Sequence, residues 1–247
     1  MARKPRRTRM DCAFNWATEK VQGRRILPPV TRQPIDNFCG AHAAVEAFEA
    51  RARLLNARVN QPFPTLSILH LIDQLRDASN NAVTEADKRR IASEETAFEL
   101  LKNNGVVTKE DYDAAPDGEG FTKNVQGLKH YRIQGYKVCY TKSNQLQARY
   151  LRTRQTTEND PAQCSVRLVR APPGFRFCQA WHLSCARGTG AGTHALMLFG
   201  FGARGRRSAM FYQNNWGNRY HVNGRGLMET NSIVAMIIPT VERNWDN

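Results

Sequence analysis

The sequence predicts an α+β chain in two lobes. Through the first half, apolar residues recur at three- and four-residue steps, the helical period; the second half breaks into short apolar runs between Gly-, Pro- and Asn-rich turns. Helices first and strands later indicate segregated layers rather than alternating βα units. At 247 residues, with 41% apolar and 9% aromatic side chains, the chain is long enough for one large domain or two lobes sharing a cleft.

Residues 1–13, with Arg3, Lys4, Arg6, Arg7 and Arg9, are expected to be a disordered basic lead-in. Ile26–Gln33 reads as an extended segment punctuated by proline. After Pro34, Asp36 and Asn37 are candidate helix caps. From Gly40, the spacing of Ala41, Ala44, Val45, Phe48, Ala52 and Leu55 predicts a long helix, with Glu46, Glu49, Arg51 and Arg53 on the other face. Cys39 therefore stands at a helix N-terminus. A second helix is expected over Thr65–Asp77 and a third over Ser93–Asn103, stopped by Asn104-Gly105. Tyr136–Tyr140, Ser165–Val169, His194–Phe201, Ala209–Tyr212 and Ile233–Ile238 read as strands. Leu196–Phe199 is apolar on both faces, which suits a strand inside a sheet. The domain is drawn over 14–240, with a helical lobe at about 33–125, a β lobe at about 126–240 plus 14–32, and a C-terminal tail at 241–247.

Charge and cysteine content narrow the partners. The formal charge of +14 favours acidic partners, but the excess gathers on no single helix and reads more simply as a solvated basic surface. No apolar run approaches the ~18 residues of a membrane span, so no membrane partner is expected. No apolar h-region follows the basic N-terminus, so a secretory signal is not expected there; a nuclear-localisation or nucleic-acid arm remains open. The six cysteines are scattered without a C-x-x-C pair, and if one is a catalytic thiol the other five cannot all pair, which favours a reducing compartment. Cys178, His182 and Cys185 lack a fourth ligand at zinc spacing, and Cys139 and Cys164 read as core cysteines; neither metal nor organic cofactor is expected.

A thiol becomes a strong nucleophile as its thiolate, which a helix N-terminus and a neighbouring imidazole both favour. Cys39 meets the first condition from its own context. The imidazole must come from elsewhere and needs a polar side chain to hold its tautomer. His194 opens an apolar strand, and Asn214 lies 20 residues on, a gap that one hairpin turning at Gly202–Gly205 would close. Trp216 follows and is placed to cover the imidazole–amide bond. His42, one turn beyond Cys39, is the nearer but lower-ranked base.

These residues resemble the papain-like cysteine proteases. Cys39, His194 and Asn214 follow the family's order, and Gln33 falls where the family places its oxyanion-donating glutamine. Asn15-Trp16-Ala17 with Pro29-Val30 resembles the segment that opens the family domain, and Leu66–Gln74 its second helix. Ala97–Tyr112 resembles the next helix and the loop after it. His194-Ala195 running to Gly200-Phe201-Gly202 is similar to the His-Ala strand; Asn214-Asn215-Trp216-Gly217 is similar to Asn-Ser-Trp-Gly; Asn223-Gly224-Arg225-Gly226 is similar to the turn that follows. The resemblance implies the papain fold, with the active-site cleft between a helical lobe and an antiparallel β-sheet lobe. It implies Cys39, His194 and Asn214 as catalytic residues, Gln33 and the Cys39 backbone as oxyanion hole, and Trp216 as shield. It implies a monomer acting on protein or peptide substrates, open to cystatin-like inhibitors.

Departures are equally plain. Asp36 replaces the first cysteine of the signature C-G-[SA]-C-[WY], and Gly40 replaces its aromatic. The family's Gly-Gly substrate strand has no counterpart, since Gly105 is the only glycine between Asn60 and Asp113. Most of the family's disulfide cysteines have no counterpart, and no pro-segment is expected ahead of residue 14; a truncated product and a lineage that no longer folds in a secretory compartment both fit these residues. Two other classes stay open: a catalytically inactive papain-like module that binds peptide or regulates a protease, and, less favoured, a basic nucleic-acid-associated protein. The residues point to a cytoplasmic or nuclear location, whereas the resemblance implies the lysosome, vacuole or extracellular space.

Overall fold

The computed structural model describes residues 10–33, 38–80, 94–118, 123–140, 165–170, 193–204, 207–229 and 233–242. The apolar repeat beginning near Gly40 forms α1 (Cys39–Ala57), whose many alanines let neighbouring layers approach its backbone closely. On one side α1 packs against the sheet; on the other it meets α2 (Ile68–Asn80) and α3 (Glu94–Asn103). This enclosure corrects the assignment of Glu46 and Glu49 to a polar face: both are buried. Periodicity marks where the apolar arc lies, not how many layers close over the remainder. Each carboxylate keeps a partner. Glu49 pairs with Arg53 and accepts the Leu66 N–H at 3.1 Å, and Glu46 accepts the Thr31 hydroxyl at 2.7 Å. Burial still pushes both carboxyls up, Glu46 to about 8.

The second helix starts at Ile68 rather than Thr65, because Leu66 forms a bridge with Thr108 and Ser67 serves as the cap, accepting the His70 N–H at 3.1 Å. The third ends at Asn103, with Gly105 at φ +73° just beyond, as Asn104-Gly105 predicts. What resembles a loop at Lys109–Tyr112 is a short helix, α4 (Lys109–Ala114), capped by Thr108, whose hydroxyl accepts the Asp111 N–H at 3.0 Å. Tyr112 reaches back from it to donate to buried Asp73 of α2.

The second lobe is a seven-stranded antiparallel sheet. It comprises β1 (Met10–Asn15), β4 (Gly135–Tyr140), β5 (Ser165–Arg170), β6 (Thr193–Arg204), β7 (Arg207–Gln213), β8 (Arg225–Glu229) and β9 (Ile233–Thr240), in the order β4-β9-β5-β6-β7-β8 with β1 beside β6. β2 (Lys20–Val21) and β3 (Arg24–Arg25) form a separate two-stranded hairpin. Strand β1 corrects the expected lead-in: residues 10–13 belong to the sheet, registered from Met10↔Arg204 to Asn15↔Gly200, and residues 1–9 lie outside the described residues. Ladder pairing uses backbone N–H and C=O groups, so it needs no apolar signature in sequence. β8 likewise begins inside the expected turn Asn223–Gly226 and continues it as a strand to Glu229.

Strand β6 is apolar on both faces, as its composition predicts. Ala195, Met197 and Phe199 join the core around α1, whereas Leu196 and Leu198 face a second cluster with Met210, Tyr212 and Met228. A register shift between Leu198 and Gly200 then turns Phe201 to that second face. Among the described residues no helix is long and apolar enough to cross a membrane.

Candidate active site

Four segments meet at the N-terminus of α1. Cys39 is the first residue of that helix, half-buried and free. The N-cap is Phe38, which offers no side-chain hydrogen bond; Asp36 and Asn37, the expected caps, lie outside the described residues. In place of a cap, backbone hydrogen bonding from Ala195, Gly40 and Cys39 itself bears on the thiol and lowers its pKa. Burial outweighs this and pushes the thiol up, with the negative charge of Glu94 adding to the rise. The bond from Ala195 places the sulfur against the strand residue next to His194.

His194 and Asn214 are brought together by the β6–β7 hairpin, in which Met197 registers with Gln213. His194 Nε2 lies 2.9 Å from Asn214 Oδ1. The same oxygen accepts the Asn215 backbone N–H at 2.8 Å, which fixes it as the acceptor end of the carboxamide. Nε2 must then be the donor, and Nδ1 is left with a lone pair. Burial pushes the imidazole pKa down, and the Asn214 bond pulls it partly back. Asn214 is itself buried, and its N–H donates to Gly224 O at 2.8 Å. Gly224 sits at φ +74°, where a Cβ would come within 2.3 Å of Val30 Cγ1, so the turn behind Asn214 requires glycine.

Trp216 stacks on the His194 ring, with centroids 4.7 Å apart and planes at 29°, and Tyr220 meets the Trp216 ring edge-on at 4.8 Å. The extended 31–33 segment is laced to this loop: the Gln33 N–H donates to Asn215 O at 2.6 Å, and the Gly217 N–H donates to Thr31 O at 3.0 Å. Asn215 Nδ2 in turn donates to Cys39 O at 3.3 Å. Gln33, Cys39, His194, Asn214 and Trp216 thus share one neighbourhood.

His42 does not join them. It is buried on the inner side of α1 with Nδ1 2.8 Å from the Thr31 hydroxyl, and burial pushes it down to about 4. Cys139 lies apart in β4, free. Cys164, Cys178, His182 and Cys185 lie outside the described residues, among which no cluster of metal-ligating side chains occurs.

Two residues at the site escaped the sequence. Asn215 occupies a motif position but ties Cys39 to the loop through a side chain to which no role was given. Glu94, the first residue of α3, reaches the thiol's surroundings across space. The one sequence hint is the small residue at Gly40, where a Cβ would come within 3.3 Å of Glu94 Cγ.

A helical lobe and an antiparallel sheet lobe, with a thiol at a helix N-terminus beside a histidine–asparagine pair, define the papain-like fold. Solved structures agree. A chain from work on antibody cross-reactivity between the mite allergens Blo t 1 and Der p 1 has a TM-score of 0.63 at 20% identity, covering 92% of this chain and 70% of that one. The digestive procathepsin L2 proteinase from Tenebrio molitor larval midgut has a TM-score of 0.66 at 16% identity, over 94% and 69%. A cysteine protease from Carica candamarcensis in complex with E-64 has a TM-score of 0.65 at 18% identity, over 93% and 98%. No curated protein matches the chain by sequence. The profile of the papain family of cysteine proteases matches residues 12–239, and the chain belongs to that family.

Proposed function

We propose that the protein is a cysteine peptidase in which Cys39 attacks the peptide carbonyl, His194 moves the proton and Asn214 holds the imidazole. The observation that carries this reading is the His194–Asn214 bond: with Asn214 Oδ1 committed as acceptor, the ring keeps Nδ1 as its proton-accepting nitrogen. Burial favours a neutral thiol and a neutral imidazole when each is considered alone. Proton transfer from sulfur to Nδ1 is then coupled to attack, and the two new charges stabilise one another in a cleft of low dielectric.

In the first step the Cys39 sulfur bonds to the carbonyl carbon, and the carbonyl π electrons move onto oxygen. The Gln33 side chain and the Cys39 backbone N–H stabilise that oxyanion, each donor being worth a few kcal/mol. The tetrahedral adduct collapses, the C–N bond breaks, and His194 gives its proton to the leaving amine. Water, deprotonated by His194, then hydrolyses the thioester and restores the thiol. Trp216 covers the imidazole–carboxamide bond and keeps competing water from it. Substrates are proteins or peptides, and cystatin-like inhibitors are expected to compete for the cleft.

A peptidyl epoxide tests the reading. Under reducing conditions it should add covalently to the intact protein, as seen by mass spectrometry, and Cys39→Ala should abolish the adduct. Absence of both labelling and peptide hydrolysis in the wild-type protein would instead make it an inactive papain-like module.

A further inference from the structure

We infer that Glu94 is a specificity-determining residue that makes the cleft prefer substrates with a cationic side chain close to the scissile bond. The inference rests on the peptidase reading above. A Cβ at Gly40 would lie 3.3 Å from Glu94 Cγ and 3.8 Å from its Cα, so the Glu94 side chain crosses the open face of the residue next to the nucleophile. The carboxylate is close enough to bear on the thiol, and it raises the pKa of Cys39.

Among the described residues no cation acts on that carboxylate: burial raises its pKa, its own backbone N–H lowers it, and the like charge of Glu95 raises it again. The Arg76 guanidinium, 5.3 Å over the ring of the helix N-cap Phe38, is already paired with Asp73 at 3.3 Å. A half-buried anion beside Cys39, with no cation against it among the described residues, is stabilised most by a cation arriving with the substrate. A neutral side chain leaves it uncompensated, and an acidic one adds repulsion, so the same group attracts one class and rejects another.

The test uses internally quenched peptides that vary Lys, Arg, norleucine and Glu at each position within two residues of the cleaved bond. Enzyme concentration is set by titrating Cys39 with the epoxide. For the wild-type protein, kcat/KM should favour Lys or Arg over norleucine about tenfold at one of these positions. Glu94→Gln should bring that ratio close to one, and Glu94→Lys should shift the preference to Glu. A ratio unmoved by either substitution, or absent from the titratable wild-type enzyme, overturns the inference alone. A wild-type protein that does not titrate at Cys39 overturns the peptidase reading, and this inference with it.

Discussion

Replacing Glu46 with glutamine keeps the shape of a buried side chain and removes its ability to ionise. In the folded protein, burial pushes the carboxyl from 4.5 to about 8, against weaker pulls from hydrogen bonds with Thr31 and Gln213. Below pH 4.5 the group is protonated in both folded and unfolded chains, and its stabilising proton is fully present. As pH rises from 4.5 to about 8, the unfolded chain gives up the proton and the folded chain keeps it. Stability therefore falls by about 1.4 kcal/mol per pH unit, on the order of 5 kcal/mol across the window. His42, pushed from 6.5 to about 4, has the opposite slope: neutral when folded and protonated when unfolded, it adds stability as pH rises through that interval. The two slopes nearly cancel up to pH 6.5 in the wild-type protein, and the difference between wild type and Glu46→Gln isolates the glutamate. Urea midpoints from pH 5 to 9 supply that difference, which should move against the wild type by about 2 kcal/mol between pH 6.5 and 8. A difference that stays flat would refute the reasoning and mean that Glu46 is ionised inside the fold, balanced by Arg225.

Asn214→Ala removes the acceptor that both His194 and the Asn215 N–H use. Hydrolysis measured per titrated active site should lose about 100-fold in kcat with a smaller change in KM, and the orphaned N–H should cost about 1–3 kcal/mol in urea unfolding; kcat within twofold of wild type would contradict the orienting role. Gly224→Ala forces a Cβ to within 2.3 Å of Val30 Cγ1 at φ +74°, directly behind Asn214. It should lower stability by about 2 kcal/mol or more, read as a fall in Tm by calorimetry, and an unchanged Tm would be the opposing result.

The parts of the fold legible in sequence were those written in side-chain pattern. The apolar steps from Ala41 to Leu55 announce α1, and the two-faced apolar run at Leu196–Phe199 announces a central strand. The gap between His194 and Asn214 fits one hairpin, and the motif residues there lie where that hairpin sets them side by side. The features missed depend on who packs against whom. Glu46 and Glu49 look amphipathic in one dimension and are enclosed only because α2, α3 and the sheet close around α1. Strand β1 is held by backbone pairing, which leaves little trace in composition. Thr65 and Ser67 are both cap-type residues, and the Leu66 bridge to Thr108 decides between them. Glu94 nears Gly40 through the meeting of two helices, which no spacing along the chain encodes.

The lacing of Thr31 and Gln33 to Asn215 and Gly217 also governs the order of assembly. These partners come from the two ends of the domain, so the loop to be closed before they meet is about three-quarters of the chain, and contacts of that span form late in folding. A nascent chain carrying Cys39 has neither His194 nor Asn215 against it until the closing strands have been synthesised. Neither half of the polypeptide expressed alone holds all of Gln33, Cys39, His194 and Asn214, and the candidate site arrives together with the finished tertiary structure.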